Sequence, residues 1–269
     1  MSSARIVGAA VSVGLWLGVS PAIAHDTWLL PARFALPTGA TVEADLTSGM
    51  AFPRLESAVA ADRLVATGLR VAGRRAPLKP LRSGPAALRL SAAAAAPGVA
   101  VLWVATRPRT LSLTPAQVEE YLPEIGASES VVARWRRQKR WRETYSKLAK
   151  SFVRVGEPGA DRSWDEPVGL ELEIVPLDDP TALVAGSELR VRVLRSGRPL
   201  AGFAVSAVAA GEHAPPVMRP TADDGTVAFR LDRPGAWLLR GTLIEESRAP
   251  DADWQSLFTT LTVSVGSRP

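Results

Sequence analysis

Val99-Ala100-Val101-Leu102-Trp103-Val104-Ala105 is the stretch whose reading decides the fold. In a strand, successive side chains point to opposite faces, so Val99, Val101 and Trp103 share one face and Ala100, Leu102 and Val104 the other. Both sets are apolar. The segment therefore reads as a strand buried on two sides. Pro97-Gly98 opens it and stops the Ala92–Ala96 run, which is expected as a loop or single turn despite the helix propensity of alanine. Upstream, residues 41–46 alternate, with Val42, Ala44 and Leu46 on one face, and Leu69-Arg70-Val71 and residues 87–90 are further short strands. Gly39, Gly49, Pro53, Gly68, Gly73 and Pro77 punctuate them. Residues 25–110 are thus expected as an antiparallel β-sandwich.

The same texture returns over 165–269. Residues 168–175 form a strand, and residues 187–194 alternate with Leu189, Val191 and Val193 on one face. Return strands follow at 203–208, 227–231, 236–243 and 258–265, separated by Ser196-Gly197, Asp224-Gly225 and Pro234-Gly235 turns. The expectation is a mainly β protein of two sandwich domains. Residues 111–164 stand apart as a helical insertion and linker. Thr114-Pro115-Ala116-Gln117 is a capping box that opens a helix to about Tyr121. A second helix is expected from Ser128 to about Phe152, with Val131, Val132, Trp135, Leu148 and Phe152 packed on the sandwich and its arginines in solvent. Trp135 and Trp141, six residues apart, are expected on different helix faces, so they offer no stacking platform for nucleic acid.

Composition removes many functions. The chain has 269 residues, no cysteine and two histidines. Thiolate metal sites, cysteine nucleophiles and multi-histidine cages are excluded. The net charge of +5, almost all from arginine, reads as a mild field. Asp178-Asp179, Asp223-Asp224 and Glu245-Glu246 fall at turns or strand ends, no serine has a histidine partner at an elbow, and no phosphate-binding fingerprint occurs. No enzyme activity and no organic cofactor are expected.

The amino terminus reads as an export signal, with Arg5, an apolar run from Ile6 to Val19 and Ala22-Ile23-Ala24 as a cleavage pattern. The run is shorter than the ~20 residues of a membrane-spanning helix, so no stable span is expected once residues 1–24 are removed. Cleavage after Ala24 places the protein in the periplasm and starts the mature chain at His25-Asp26-Thr27-Trp28. An amino-terminal histidine offers an α-amine and an imidazole in one chelate, suited to Ni(II) or Cu(II). Asp26 adds a carboxylate, and His213 is the second imidazole. The other reading of His25 is that it only anchors the first strand. Met50 reads as a buried gap-filler, with a soft-ligand role as its alternative.

A run of motifs carries a family resemblance: Ala24-His25-Asp26-x-Trp28-Leu29-x-Pro31, Val118-Glu119-Glu120-Tyr121-Leu122, Glu143-Thr144-Tyr145-Ser146-Lys147-Leu148-Ala149-Lys150, Gly169-Leu170-Glu171-Leu172-Glu173 and Pro234-Gly235-Ala236-Trp237. In this order they resemble a bacterial periplasmic family of unknown function connected with nickel/cobalt uptake as a periplasmic component of ABC-type transport. Gly197-Arg198-Pro199-Leu200-Ala201-Gly202 and the turns after it are similar to transthyretin- or carboxypeptidase-regulatory-type sandwiches. The resemblance implies a metal-binding accessory protein working with an inner-membrane metal transporter. The alternative is an envelope β-sandwich that binds another protein or a glycan without metal.

Overall fold

The computed structural model describes residues 25–157, 159–212 and 217–268. Its principal strands are β1 (Asp26–Pro31), β2 (Thr41–Gly49), β3 (Leu64–Val71), β4 (Leu88–Ala93), β5 (Gly98–Thr106), β6 (Trp141–Val155), β7 (Leu172–Pro176), β8 (Ser187–Arg195), β9 (Ala204–Ala209), β10 (Thr226–Leu231), β11 (Gly235–Glu246) and β12 (Trp254–Val265). Two helices, α1 (Pro115–Glu124) and α2 (Glu129–Gln138), separate β5 from β6. The chain is mainly β, as its alternation predicts.

A ten-stranded sheet forms the middle layer. Its order is Met218–Pro220, β9, β11, β12, β6, β5, β3 and Arg74–Ala76, with Arg109–Leu113 and Ala35–Leu36 also paired to β6. The β6–β12 pair is parallel, Tyr145 opposite Ser256 and Lys147 opposite Phe258, whereas β6 meets β5 antiparallel. One face is covered by a sheet of β1, β2, β4, Lys79–Ser83 and Ser57–Ala58; the other by a sheet of β7, β8, β10 and Arg198–Pro199. All nine residues of β5 are buried. Ala100, Leu102 and Val104 pack with Val42, Ala44, Leu46 and Leu90 of the first covering sheet. Val99, Val101 and Trp103 pack on the opposite face in the core that holds Leu189, Val191 and Val193. The two sandwiches thus share one continuous middle sheet. At Gly68 a Cβ would fall inside the indole of Trp103, so only glycine lets that ring lie flat across β3.

The helical insertion is shorter than its sequence suggests. Thr114 and Gln117 form the reciprocal capping box, and α1 continues through Pro123, which lies in its last turn. Ser128 caps α2, but the helix stops at Gln138 because Lys139 takes a left-handed conformation, φ 51°. The chain reverses there and Trp141–Val155 becomes a fifteen-residue strand, not the second half of a helix. The spacing of Leu148 and Phe152 imitates a helical stripe, while Glu143, Lys147 and Lys150 are all buried. The same reversal brings the two tryptophans together: Trp135 and Trp141 meet edge-to-face at 6.0 Å, and Trp141 stacks on Trp254 at 4.8 Å. The arginines around them are held by carboxylates, Arg134 by Glu246 and both Arg140 and Arg142 by Asp253.

Lys150 and Glu173 join the middle sheet to the second covering sheet. Both side chains are 1% exposed and meet at 2.7 Å. Lys150 also donates to the Ile174 carbonyl, and Glu173 accepts the backbone N–H groups of Val168, Gly169 and Leu170. Each charge of this buried pair thus meets its counter-charge and further hydrogen-bond partners within the protein, the condition under which such a pair persists.

Candidate functional site

Alternation along the middle sheet creates a polar seam. On the face turned toward β1 and the helices, β6 presents Glu143 and Lys147, β12 presents Ser256 and Thr260, and β11 presents Arg240. The first covering sheet lies on one side of this seam and the α1–α2 pair on the other. At the helix end, Glu143 is buried and accepts hydrogen bonds from Tyr121 at 3.1 Å, Trp141 at 2.7 Å and Ser256. Burial holds its carboxyl above the usual range, opposed by those three donors.

At the β1 end, Thr260 donates to the Thr27 carbonyl at 2.6 Å, which fixes the start of β1 to the sheet. Lys147 donates its ammonium to the His25 carbonyl at 2.5 Å and lies beside the rings of Tyr145 and Phe258. Among the described residues it has no carboxylate in ion-pair contact, and burial brings its pKa down to about 8. The His25 ring is half-buried. Burial and then the Lys147 charge push its pKa below the usual value, while Glu56 and then Asp26 act the other way. The imidazole is therefore neutral at pH 7 and its lone pair is available.

The sequence-derived candidates separate at this point. Asp26 is ion-paired with Arg240, which leaves its side chain only 13% exposed. It lines a narrow, half-open cleft with Glu124, Ser206, Met218 and Phe258, whose volume of 20 Å³ has room for about one water. Burial raises the Glu124 carboxyl, and Arg240 opposes that shift. Glu56 was not singled out from sequence. Its carboxylate is set by the Met50 and Ala51 N–H groups at 3.3 and 3.0 Å, and it acts on the His25 ring more strongly than Asp26 does. Met50 itself is 60% exposed rather than a buried gap-filler. His213 lies outside the described residues. Gly211, two residues before it, donates to the Phe52 carbonyl at 3.3 Å, and Phe52 packs edge-to-face on Trp28 of β1. Among the described residues, no three His, Cys, Asp or Glu side chains gather as a metal-holding group, and no helix is long and apolar enough to cross a membrane.

The carboxylate pairs behave as turn and edge residues. Asp178 holds Arg190, Asp224 accepts from the N–H and hydroxyl of Thr226, and Glu245 holds Arg195.

None of the curated proteins compared matches this chain. Among solved structures it is similar to the D0–D1 domain of intimin, at 13% identity over 88% of this chain and 97% of that one, with a TM-score of 0.24. It is also similar to a DUF4785 family protein from Legionella pneumophila, at 10% identity over 78% of this chain and 49% of that one, with a TM-score of 0.23. The family model of a domain of unknown function, DUF4198, matches residues 22–244, and the chain belongs to that family.

Proposed function

We propose that this chain is an exported, periplasmic, non-enzymatic protein that binds one Ni(II) or Cu(II) ion and serves as an accessory to its uptake through an inner-membrane transporter. One observation carries the reading. His25, the residue that cleavage after Ala24 would leave with a free α-amine, stands at the mouth of the polar seam with its carbonyl fixed by buried Lys147 and its ring neutral at pH 7. Amine and imidazole then form a two-nitrogen chelate on a held backbone, which lowers the ordering cost of binding. A depressed imidazole pKa favours metal over proton.

Asp26 is committed to Arg240, so it steadies the segment, and Glu56 supplies the stronger negative charge at the ring. His213, the second imidazole of the chain, is the further ligand this reading would add. Lys147 opposes a cation, but with a pKa of about 8 it gives up its proton readily, so binding releases protons.

The test is mass spectrometry of the exported protein followed by calorimetric titration with Ni(II) and Cu(II). Three proteins are compared: the chain starting at His25, the same chain acetylated at its His25 α-amine, and His25→Ala. Strong binding is expected only in the first. Equal binding by all three, or none by the first, removes the metal reading and leaves an envelope sandwich that binds a protein or glycan.

A further inference from the structure

The net charge of +5 is not spread over the molecule. Nine of the 32 Lys and Arg side chains lie between Arg63 and Val118, a stretch without a single Asp or Glu, so the other 23 face all 27 carboxylates. The rest of the chain is therefore net acidic, and the whole positive excess belongs to one part of the first sandwich.

The fold concentrates part of this excess on one edge. Arg74–Ala76 is the last strand of the middle sheet, and after Pro77 and the buried Leu78 the chain crosses to Lys79–Ser83, the last strand of the first covering sheet. Both terminal strands thus lie on the same side of the sandwich, and Arg74, Arg75, Lys79 and Arg82 are all exposed along it. Lys79 and Arg82 lie on the outer face of the covering sheet, Arg74 on the face of the middle sheet turned toward that sheet, and Arg75 on the opposite face over the Trp103 ring. None of the four has a carboxylate in ion-pair contact among the described residues. Glu166 is engaged with Arg70, Asp165 with Arg162, Asp161 with Ser163, and Glu43 and Asp45 with Arg89. The pairing of Lys79–Ser83 with β4 shifts register between Pro80 and Arg82, which leaves Leu81 as the extra residue of a bulge, 58% exposed on the same strand as Lys79 and Arg82.

We propose that this edge docks on the surface of an anionic phospholipid bilayer, with the four cations on headgroup phosphates and Leu81 at the headgroup–acyl boundary. Unpaired cations on an exposed edge are attracted to a negatively charged leaflet. An apolar side chain on the same strand gains from the acyl boundary and gains nothing from a nucleic-acid backbone, and the cluster offers no exposed aromatic ring on which bases could stack. The bulge and the charges also prevent the edge from pairing with another strand, so a β-zipper is the poorer fit.

The experiment is co-sedimentation of the chain starting at His25 with vesicles of phosphatidylcholine alone and with 30% phosphatidylglycerol. Binding is expected only to the anionic vesicles, with loss at 0.5 M salt. The variant R74A/R75A/K79A/R82A should bind about 100-fold more weakly or worse, and Leu81→Ser several-fold more weakly. R136A/R137A, which removes two exposed arginines of α2, should bind as wild type, and a circular-dichroism melt checks that every variant folds. No binding, equal binding to both vesicles, or equal loss in the α2 variant overturns the proposal. So does binding to soluble DNA or heparin through the same four residues without vesicle binding.

Discussion

Lys147 and Lys150 lie three residues apart on β6 and face opposite sides of the middle sheet. Both are buried, and their surroundings differ in kind. Lys150 meets a carboxylate whose remaining capacity is taken by three backbone N–H groups, so the pair is closed and ties two sheets together. Among the described residues Lys147 meets the His25 carbonyl and two aromatic rings but no carboxylate in ion-pair contact, and its pKa falls to about 8. A buried charge with a complete set of partners is a structural joint. One with an incomplete set sits where a charge or proton can be exchanged cheaply, and here that place is beside the residue we assign to the metal.

Removing the closed pair should have the largest effect. Lys150→Met leaves the Glu173 carboxylate buried without its counter-ion, and a loss of about 3–5 kcal/mol is expected in urea unfolding. K150M/E173L should not recover it, because Glu173 also holds the N–H groups of residues 168–170. Full recovery in the double variant would show that the carboxylate serves only the lysine.

An intermediate effect should come from Lys147, and it should depend on pH. Below pH 8 the folded protein carries the cost of a buried ammonium that the unfolded chain does not, so Lys147→Met should change stability by less than about 1 kcal/mol at pH 7. Between pH 8 and 10.5 the folded state binds fewer protons than the unfolded one, so stability rises with pH. Wild type should gain on the order of 2–3 kcal/mol over the variant across that window. A constant difference from pH 7 to 10.5 would mean that Lys147 is as well compensated as Lys150.

The smallest effect belongs to Asp253, at the outer end of the same sheet. Burial raises its pKa, but hydrogen bonds from Arg140 and Arg142 outweigh this and bring it down to about 2. Its stabilisation is complete above pH 3.8 and is lost as pH falls toward 2. Arg140 is well exposed and screened by solvent, so Asp253→Asn should lose only about 1–2 kcal/mol at pH 7, and wild type and variant should converge near pH 2.

The strands that frame this comparison were legible in the sequence, but β6 was not. Val42–Leu46 and Leu189–Val193 alternate because each packs one face on apolar residues, and Val99–Ala105 is apolar throughout because both of its faces are buried. On β6 the buried positions include Glu143, Lys147 and Lys150, whose partners His25, Tyr121, Glu173 and Ser256 are far away in sequence. Without those partners in view, buried charges look like a helix's solvated side. The parallel pairing of β6 with β12 is equally non-local. His25 and Asp26 were found from the cleavage pattern, but the commitment of Asp26 to Arg240 and the charge of Glu56 at the ring depend on contacts that no local motif encodes. The Trp135–Trp141 contact was hidden for a related reason: it exists only because the chain reverses at Lys139.

The central claim is that the mature amino terminus is the ligand, and electron paramagnetic resonance of Cu(II) added to the processed protein tests it most directly. One copper per chain is expected, with hyperfine coupling from at least two nitrogens that changes when ¹⁵N is placed at the His25 amine. Acetylation of the His25 amine should abolish that coupling. The same copper spectrum from the processed chain, the chain acetylated at its His25 amine and His25→Ala, or no bound copper in the processed chain, would contradict the account.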